Sequence, residues 1–548
     1  MPNHSDHTES ESRGNFPTDV RGLPASQPSE LVSLAGGEEF DLRIAPIAKQ
    51  LGEATVRMLA YNGSVPGPTM RVLQGSEVII NVTNDADTEA TVHWHGLRLK
   101  NAYDGTHETQ TPMQVGQSFI YRLQFQDPGL YWYHPHIRED YGQEMGLYGN
   151  IVVVPSDPDY WPPVNREELL TLDDVLVEDG QIASFSRAET TYVAMGRFGN
   201  TMLVGGDIAT ALSAGLGDVV RFYFTNTANT RVFNVGFDRA RMKLVGGDSG
   251  RFEREVLVDE VTLAPSERIV VDVLFDQPGV ATLVHRHPGR TYPLATCTVD
   301  ETQAVPDLSN QFTALRVNAD MTAERDRLDR YRDHAPDKTL AFVAEMNMGV
   351  PDGAVLYSCP MHPEVVSDSA DRCPQCGMKL IASQLLGQPQ EHGGGEDIPH
   401  QHHGDAGGHS PEQTTGIEWE DDMVDVNRLT TPANMSWKLV DRGTERANHA
   451  IDWRFKVGDQ VQIRLVNEMD SDHPMHHPFH IHGAGRFLVM SRNDAVESNL
   501  VWKDTVLVRT GESVDILLDV TNPGRWMAHC HIAEHHEGGM MFSFTVDP

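Results

Sequence analysis

Pairs of histidines are the clearest chemical feature of this sequence. Four short segments each place two histidines two residues apart: His93 and His95, His134 and His136, His480 and His482, and His529 and His531. On a strand both imidazoles of such a pair point to the same face, roughly 7 Å apart. Neutral imidazole is a common metal ligand. The four pairs therefore predict a cavity in which eight imidazoles bind a cluster of metal ions.

A second kind of metal site is predicted around Cys530, which lies between the histidines of the last pair. Its side chain must point to the opposite face of the strand, where His477, His535 and Met540 can meet it. Two imidazoles, a thiolate and a weak thioether are the donor set of a blue-copper electron-transfer site. The tripeptide centred on Cys530 would then connect two metal sites through covalent bonds, as electron delivery to O2 requires.

A third cluster contains three cysteines and one histidine, Cys359, His362, Cys373 and Cys376. Their types and spacing predict a tetrahedral site for Zn(II) or Cu(I). A structural zinc and a role in acquiring copper are both compatible with this donor set. The Gly-rich segment that follows is either a collector of loosely held copper or a solvated linker, and its histidines are His392, His400, His402, His403 and His409.

The elements that position these residues follow a β pattern. Short runs rich in Val, Ile, Phe and Tyr are interrupted about every dozen residues by Gly, Pro, Asn or Asp, which predicts strands. One such run recurs three times, as GSEVIINVTN from Gly75, GDVVRFYFTN from Gly217 and GDQVQIRLVN from Gly458. The repeat predicts three homologous β-sandwich domains. In the second of them, we interpret His285 and His287 as a relic of duplication.

The repeat also sets the expected domain boundaries. Its third copy begins 241 residues after the second (458 − 217), whereas the second follows the first by 142 (217 − 75), so the third domain contains an insertion. We assign 353–385 to the cysteine module and 386–415 to a Gly/His-rich loop. The other expected segments are a disordered tail (1–36), domain 1 (37–156), domain 2 (157–305), a linker (306–335) and domain 3 (336–548).

Four motifs resemble those of the three-domain multicopper oxidases of the laccase and cuprous-oxidase type: HWHGL, YWYHPH, HPFHIHG and HCHIAEHHEGGM. The resemblance covers about residues 37–305 and 336–548. It implies an all-β fold of three cupredoxin-like Greek-key sandwiches with a small metal-binding insertion in the third. It also implies four copper ions, which take electrons singly from a donor and reduce O2 to water.

The resemblance further implies how the copper ligands are divided. By resemblance, the ligands of the type 1 copper are His477, Cys530 and His535, with Met540 axial. The ligands of the type 2 copper are His93 and His480. The ligands of the type 3 copper pair are the remaining six histidines, His95, His134, His136, His482, His529 and His531. The cysteine module resembles the small heavy-metal-binding domain appended to copper-transport proteins.

Acids near the cluster are expected because the reduction of O2 to water consumes protons. Asp104 is similar to the aspartate that lies beside the type 2 copper in this family, and we predict that it relays protons. In many bacterial relatives another acid follows the second type 1 histidine, but this chain has His536 there. We predict that Glu534 serves that end of the cluster, with Glu537 near by.

Composition narrows the range of partners. The chain has 79 Asp and Glu against 43 Lys and Arg, a net charge of −36, which argues against nucleic acid. It has no apolar run of about eighteen residues that would span a membrane, and we expect a monomer. The first thirty or so residues lack a signal-peptide pattern. The sequence therefore leaves the location open: periplasmic or secreted if a leader was removed, and otherwise cytoplasmic.

The function predicted from these features is an O2-reducing oxidase. Copper sequestration alone does not require a cysteine that joins two sites, and copper nitrite reductases lack the eight-histidine cluster. Phenols and aromatic amines are the predicted donors, with Cu(I) alongside. The alternative is a primarily metal-oxidising or copper-sequestering role in copper tolerance, which the insert favours together with Met469, Met475 and Met490.

Overall fold

The computed structural model describes residues 14–350, 356–386 and 415–548. The fold is all-β, with 47% strand and 8% helix, as predicted. The predicted Gly/His-rich loop lies almost entirely outside the described residues, as do residues 1–13. No helix within the described ranges has the length and apolar character of a membrane-spanning segment.

Domain 1 is built from two sheets, ordered β1-β4-β9-β8-β6 and β3-β2-β5-β7. Burial alternates along β5, as expected for a strand with one face on the core. Its elements are β1 (Leu31–Leu34), β2 (Glu39–Leu51), β3 (Ala54–Tyr61), β4 (Thr69–Leu73), β5 (Glu77–Asn84), β6 (His93–His95), β7 (Ser118–Gln124), β8 (Gly129–His134), α1 (Glu139–Glu144) and β9 (Gly149–Val154), with a 3-10 turn at Asn101–Tyr103.

Domain 2 also has two main sheets, ordered β13-β10-β15-β20-β17-β18 and β14-β22-β21-β16-β19, and β11 pairs with β12. Two helices of the linker, α2 (Ser309–Thr313) and α3 (Ala319–Leu328), follow it. Its strands are β10 (Arg166–Val175), β11 (Val177–Glu178), β12 (Gln181–Ile182), β13 (Thr201–Val204), β14 (Thr210–Leu216), β15 (Val219–Asn226), β16 (Phe233–Asp238), β17 (Arg241–Gly247), β18 (Gly250–Val258), β19 (Val261–Leu263), β20 (Arg268–Leu274), β21 (Gly279–His287) and β22 (Arg290–Gln303).

Domain 3 consists of the sheets β28-β27-β23-β30-β35-β32-β33 and β29-β37-β36-β31-β34, and the insert adds the small sheet β25-β24-β26. Its elements are β23 (Lys338–Met346), β24 (Tyr357–Ser358), β25 (Val366–Ser367), β26 (Ile381–Ala382), α4 (Val424–Asn427), β27 (Met435–Asp441), β28 (Arg446–Ala447), β29 (Arg454–Lys456), β30 (Gln460–Asn467), β31 (His477–Ile481), β32 (Gly485–Arg492), β33 (Ala495–Val496), β34 (Thr505–Val508), β35 (Ser513–Val520), β36 (Gly524–Cys530), α5 (Ala533–Glu537) and β37 (Met541–Asp547), with 3-10 turns at Ser383–Leu386 and Asn448–Ala450.

The three repeated segments form the same strand of each domain. Each of β5, β15 and β30 pairs in parallel with the first long strand of its domain, β2, β10 and β23 respectively. Each repeat ends in a buried asparagine, Asn84, Asn226 or Asn467. In all three cases the side-chain amide donates to two backbone carbonyls from other segments of the domain. The recurring asparagine therefore closes the equivalent corner of each sandwich.

Part of the expected tail is packed against the protein. Residues 1–36 were expected to be disordered, but Phe16 is buried and stacks on Tyr141 with 3.8 Å between ring centroids. The guanidinium of Arg187 lies over the same Phe16 ring. Strand β1 pairs in parallel with β4. One aromatic anchor and one edge strand thus order a polar segment that composition alone assigns to a tail.

Candidate metal centres

All eight paired histidines are buried and meet between domains 1 and 3. Pairing of β6 with β8 sets His93 opposite His134, and pairing of β31 with β36 sets His480 opposite His529. Rings from the two domains then meet: His95 stacks on His480 with centroids 3.8 Å apart, and the tilted rings of His93 and His482 have centroids 4.0 Å apart. The cavity therefore follows from strand alternation within each domain and from the contact between the domains.

The hydrogen bonds of these histidines leave lone pairs free for a metal. Nδ1 of His93 donates to the Asp104 carbonyl at 2.7 Å, Nδ1 of His480 to the Asp504 carbonyl at 2.8 Å, and Nδ1 of His529 to its neighbour's carbonyl at 2.8 Å. A carbonyl only accepts, so each Nδ1 carries the proton and the lone pair lies on Nε2.

The inward-facing nitrogens fit a metal cluster. Several of them have no hydrogen-bond partner among the described residues, namely Nε2 of His93, His134 and His480, Nδ1 of His95, and both nitrogens of His136 and His531. Burial, with repulsion from neighbouring rings, lowers the pKa of His93, His95 and His480 well below the usual range. Buried neutral imidazoles without partners are costly unless a cation binds them.

Asp104 lies at one side of this cluster, as its sequence position predicted. Its Oδ2 is 2.9 Å from Nδ1 of His482, and its Oδ1 is 3.5 Å from Nδ1 of His93. Burial raises the pKa of the Asp104 carboxyl to about 6. This acid can therefore gain and lose a proton near neutral pH.

At the opposite side the carboxylate is Glu139, which the sequence analysis missed. Its Oε1 is 3.1 Å from Nδ1 of His134, and its Oε2 is 3.0 Å from Nδ1 of His536. Although burial opposes ionisation, the adjacent rings of His531, His134 and His536 lower the pKa of Glu139 well below the usual range. One feature of the sequence could have identified Glu139: it is an acid three positions after the HPH motif.

Glu534, the acid predicted for that side, has other partners. Its carboxylate accepts hydrogen bonds from Asn229 and Thr230 of domain 2, both at 3.3 Å. Within the described residues it forms no ion pair with any of the eight histidines. Helix α5 directs Glu534 towards domain 2, whereas His535 and His536 of the same helix face the two metal centres.

Asp504 is a second residue that the sequence analysis missed. Its Oδ1 lies 2.9 Å from Nε2 of His95, and Oγ1 of Thr505 lies 3.1 Å from the same nitrogen. The buried guanidinium of Arg268 donates to both Asp504 oxygens, at 2.7 and 2.5 Å. Domain 2, which has no histidine in the cluster, therefore orients a cluster histidine through Arg268.

The thiolate centre forms on the other face of β36. Sγ of Cys530 lies 3.5 Å from Nδ1 of His477 and 3.7 Å from Nδ1 of His535. Nε2 of His535 donates to the Ala194 carbonyl at 3.2 Å, which leaves its Nδ1 lone pair directed at the sulfur. Burial raises the pKa of the Cys530 thiol, so a bound cation is needed to keep it ionised.

Aromatic rings and Met540 enclose this centre. The Trp437 ring lies 4.0 Å from that of His535, and the Phe342 ring stacks on His477 at 5.3 Å. Met540 is fully buried in the same core, and its carbonyl accepts a hydrogen bond from the Cys530 amide at 3.1 Å. The donor set and its apolar surroundings fit a mononuclear copper site.

The four predicted insert residues also converge. Sγ of Cys359 is 3.6 Å from Sγ of Cys376 and 3.7 Å from Nδ1 of His362, and Sγ of Cys373 is 3.6 Å from the same nitrogen. All three thiols are free, and the four donor atoms lie within 4.8 Å of one another. Hydrogen bonds from Cys376 and His362 lower the pKa of Cys359 to about 5. These residues, called the insert cage below, fit a tetrahedral soft-metal site.

The insert is docked on the loop that leads into β31. Nζ of Lys379 lies 3.2 Å from the Asp472 carboxylate, and a guanidinium nitrogen of Arg372 lies 3.3 Å from it. Arg372 also donates to the Ser471 carbonyl. Met378 is buried in the hydrophobic core of domain 3. The insert cage is therefore held against the segment that ends at His477.

The two histidines of domain 2 lie outside both centres. Nδ1 of His285 accepts the Asn234 amide hydrogen at 3.0 Å, and Nε2 of His287 is 3.5 Å from the Glu420 carboxylate. The His285 ring stacks with Tyr292, their centroids 5.9 Å apart. Domain 2 instead contributes Arg268 to the cluster and Ala194 to the thiolate centre.

These features define a class of protein. An eight-histidine cluster between two cupredoxin-like domains, joined through adjacent residues to a cysteine–histidine centre, is the arrangement of a copper-dependent oxidoreductase that uses O2. Two family models described as Multicopper oxidase match residues 46–158 and 420–548, and one described as Heavy metal binding domain matches residues 356–382. The chain is thus a multicopper oxidase with a metal-binding insert.

Curated relatives cover most of the chain. Laccase-3 of Oryza sativa subsp. japonica is 24% identical, over 95% of this chain and 94% of its own length. Multicopper oxidase MmcO of Mycobacterium tuberculosis is 24% identical, over 90% and 84%. Copper resistance protein A of Escherichia coli is 24% identical, over 93% of each chain.

Solved structures share the fold. A multicopper oxidase of Campylobacter jejuni, described as a metallo-oxidase, matches with a TM-score of 0.64 and 19% identity, over 97% of this chain and 99% of its own. A laccase-like CueO of Ochrobactrum sp. matches with a TM-score of 0.63 and 20% identity, over 96% and 100%. The predicted fold class is confirmed, and the family implies the four predicted copper ions.

Proposed function

We propose that this oxidase takes electrons from Cu(I) and thereby protects its surroundings from that ion. The observation that carries the proposal is the docking of the insert cage on the loop that leads to His477. A cage of three thiols and an imidazole suits soft ions such as Cu(I). Its attachment beside the thiolate centre supports a metal ion as the donor.

The donor sets support a division of the four coppers between two centres. The type 1 copper would be held by His477, Cys530 and His535, with Met540 axial. The type 2 copper would be held by His93 and His480, and the type 3 pair by His95, His134, His136, His482, His529 and His531. Bound there, copper supplies one-electron transfer at the thiolate centre and four-electron reduction of O2 to water at the cluster.

The protein's own residues hold the copper ligands in place, exclude water and exchange protons. Carbonyls hold the histidine tautomers with lone pairs inward, and Asp504 holds His95. Trp437 and Phe342 exclude water from the thiolate centre. Asp104 is placed to exchange protons at its Oδ2, since its pKa of about 6 lies near neutral pH.

Access to the thiolate centre also supports a small ion. Among the described residues, His477 is 1% and His535 0% exposed, and the Ala194 carbonyl covers Nε2 of His535. A phenol needs contact with the exposed edge of a histidine ligand. A metal ion delivered along the insert does not. The relative named for copper resistance and the neighbour described as a metallo-oxidase agree with this donor.

Phenols are the second candidate. The relative named Laccase-3 spans nearly the whole chain, and the Ochrobactrum neighbour is described as active towards lignin model compounds. Phenol oxidation at the same centre would need an opening beside His535.

The test is O2 consumption by the copper-loaded protein, with Cu(I) or a simple phenol as donor, alongside a visible spectrum. We expect a higher kcat/KM for Cu(I) than for the phenol. Cys530→Ser should lose the blue absorption and turnover with both donors, whereas Cys297→Ala, at a free cysteine of domain 2, should keep both. A higher kcat/KM for the phenol would refute the Cu(I) proposal, and O2 uptake by Cys530→Ser would refute the ligand assignment.

A further inference from the structure

His473 is a buried histidine that none of the proposed copper sites uses. Its side chain is 1% exposed, and neither ring nitrogen has a hydrogen-bond partner among the described residues. Leaving two buried ring nitrogens unpartnered costs free energy, so a histidine that served packing alone would be poorly suited to this position. Burial lowers the pKa of His473 to about 4, which leaves the ring neutral and able to bind a metal ion.

On one side, His473 approaches the thiolate centre through a single indole. Its ring meets the Trp437 ring edge to face, with centroids 5.9 Å apart. The Trp437 ring also contacts the rings of His535 and His477, with centroid distances of 4.0 and 4.9 Å. An electron released at His473 therefore has one aromatic ring to cross before it reaches a ligand of the thiolate centre.

On the other side, the chain around His473 contacts the insert. A Cβ placed on Gly377, the residue after the cage ligand Cys376, would lie 3.5 Å from Cγ of Pro474. The Lys379 amide donates to the Asp472 carbonyl at 2.9 Å. Asp472 is thus hydrogen-bonded to the insert, and Pro474 lies close to Gly377, the residue after the cage ligand Cys376.

Two methionines lie close in sequence to His473 and to the cage ligand Cys376, at positions 475 and 378. Met378 and Met475 are both buried in the hydrophobic core that also contains Trp437 and Cys530. The Met378 carbonyl accepts the amide hydrogen of the cage ligand Cys373 at 2.7 Å. Thioether and neutral imidazole together favour Cu(I) over harder ions.

We propose that His473 is a transfer site for substrate Cu(I), which it receives from the insert cage and holds while the ion is oxidised across Trp437. The inference rests on the proposed Cu(I) donor. Each Cu(I) loses one electron and leaves as Cu(II). Four such oxidations and four protons reduce one O2 to two waters, so O2 is the final oxidant. Electron balance therefore requires no further reactant.

Binding is tested with Ag(I), a soft ion that resembles Cu(I) but is not oxidised here. Calorimetric titration of the copper-loaded protein should show one fewer tight Ag(I) ion in His473→Gln than in wild type. His473→Met, which keeps a soft donor, should restore it. The control is His449→Gln, at an exposed histidine of the same domain, which should match wild type. An unchanged Ag(I) stoichiometry in His473→Gln would overturn the proposal.

Kinetic measurements distinguish a failure of the His473 transfer site from a failure of the Cu(I) donor proposal. In His473→Gln, kcat/KM for Cu(I) should fall by about tenfold or more relative to its value for a phenol, the size of effect expected when a metal contact is lost. The blue absorption reports folding and an intact thiolate centre. If wild type oxidises Cu(I) and the variant keeps its full kcat/KM, the transfer site is refuted but the donor stands. If wild type does not oxidise Cu(I), the donor proposal itself fails.

Discussion

Oδ1 of Asp504 lies 2.9 Å from Nε2 of His95, a residue 409 positions earlier in the chain. Arg268 of domain 2 holds the same carboxylate through two charge-assisted hydrogen bonds. Three domains thus meet in one chain of contacts at the histidine cluster. This gives domain 2, which has no cluster histidine, a defined part in building the copper site.

Arg268→Met should lower the copper content of the cluster, because Asp504 would no longer fix His95. We expect copper affinity to fall by about 10- to 100-fold, measured as copper per chain at fixed free copper. Arg221→Met is the matched control, since Arg221 forms an equally buried, two-bond pair with Asp272 inside domain 2. Both variants should lose about 3–5 kcal/mol of stability. Equal copper content in the two would contradict the role given to Arg268.

Glu139→Gln should slow O2 reduction more than Glu534→Gln does. Glu139 contacts His134 and His536 beside the cluster, whereas Glu534 is bound to domain 2. Loss of an acid or base in the reaction costs on the order of 100-fold in rate. The measurement is kcat at saturating donor and O2, with the copper content of each variant as the control. A larger loss in Glu534→Gln would instead favour Glu534, the acid predicted from the sequence.

Met540→Leu should raise the reduction potential of the thiolate centre. Met540 is buried beside Cys530, and removal of a weak thioether ligand favours the reduced copper. Redox titration that follows the blue absorption measures the change. Met469→Leu, at a half-exposed methionine of the same domain, should leave the potential as it is. A potential that does not rise in Met540→Leu would argue against axial ligation.

His285→Gln should reduce the loss of stability at acid pH. Burial lowers the pKa of His285 from an ordinary 6.5 to about 4, so between these values only the unfolded chain is protonated at this position. Its contribution to stability is therefore present above pH 6.5 and is lost as pH falls towards 4. Gln can still accept the Asn234 hydrogen but does not titrate. We expect a smaller drop in Tm across this range than in wild type, and an equal drop would refute the assignment.

Residues close in sequence were the ones that sequence reasoning could place. The alternation of His529, Cys530 and His531 is a property of any strand, so two opposite metal faces followed from it. The repeated asparagines likewise marked equivalent strands in three domains. By contrast, the insert appeared as a separable module. The structure joins it to domain 3 through contacts with Ser471 and Asp472 and through the core burial of Met378.

The sequence by itself determined the donor types, their spacing and the all-β fold. Alternate residues of a strand lie on the same face, so a local alternation of residue types already shows which side chains point together. Only the tertiary structure showed that Glu139 and Asp504 also lie beside the cluster histidines. Glu139 and His536 are about 400 positions apart in the chain, as are Asp504 and His95, and no local period relates such residues. Their contacts arise when whole domains pack together, so the support of the copper cluster is a property of the assembled fold.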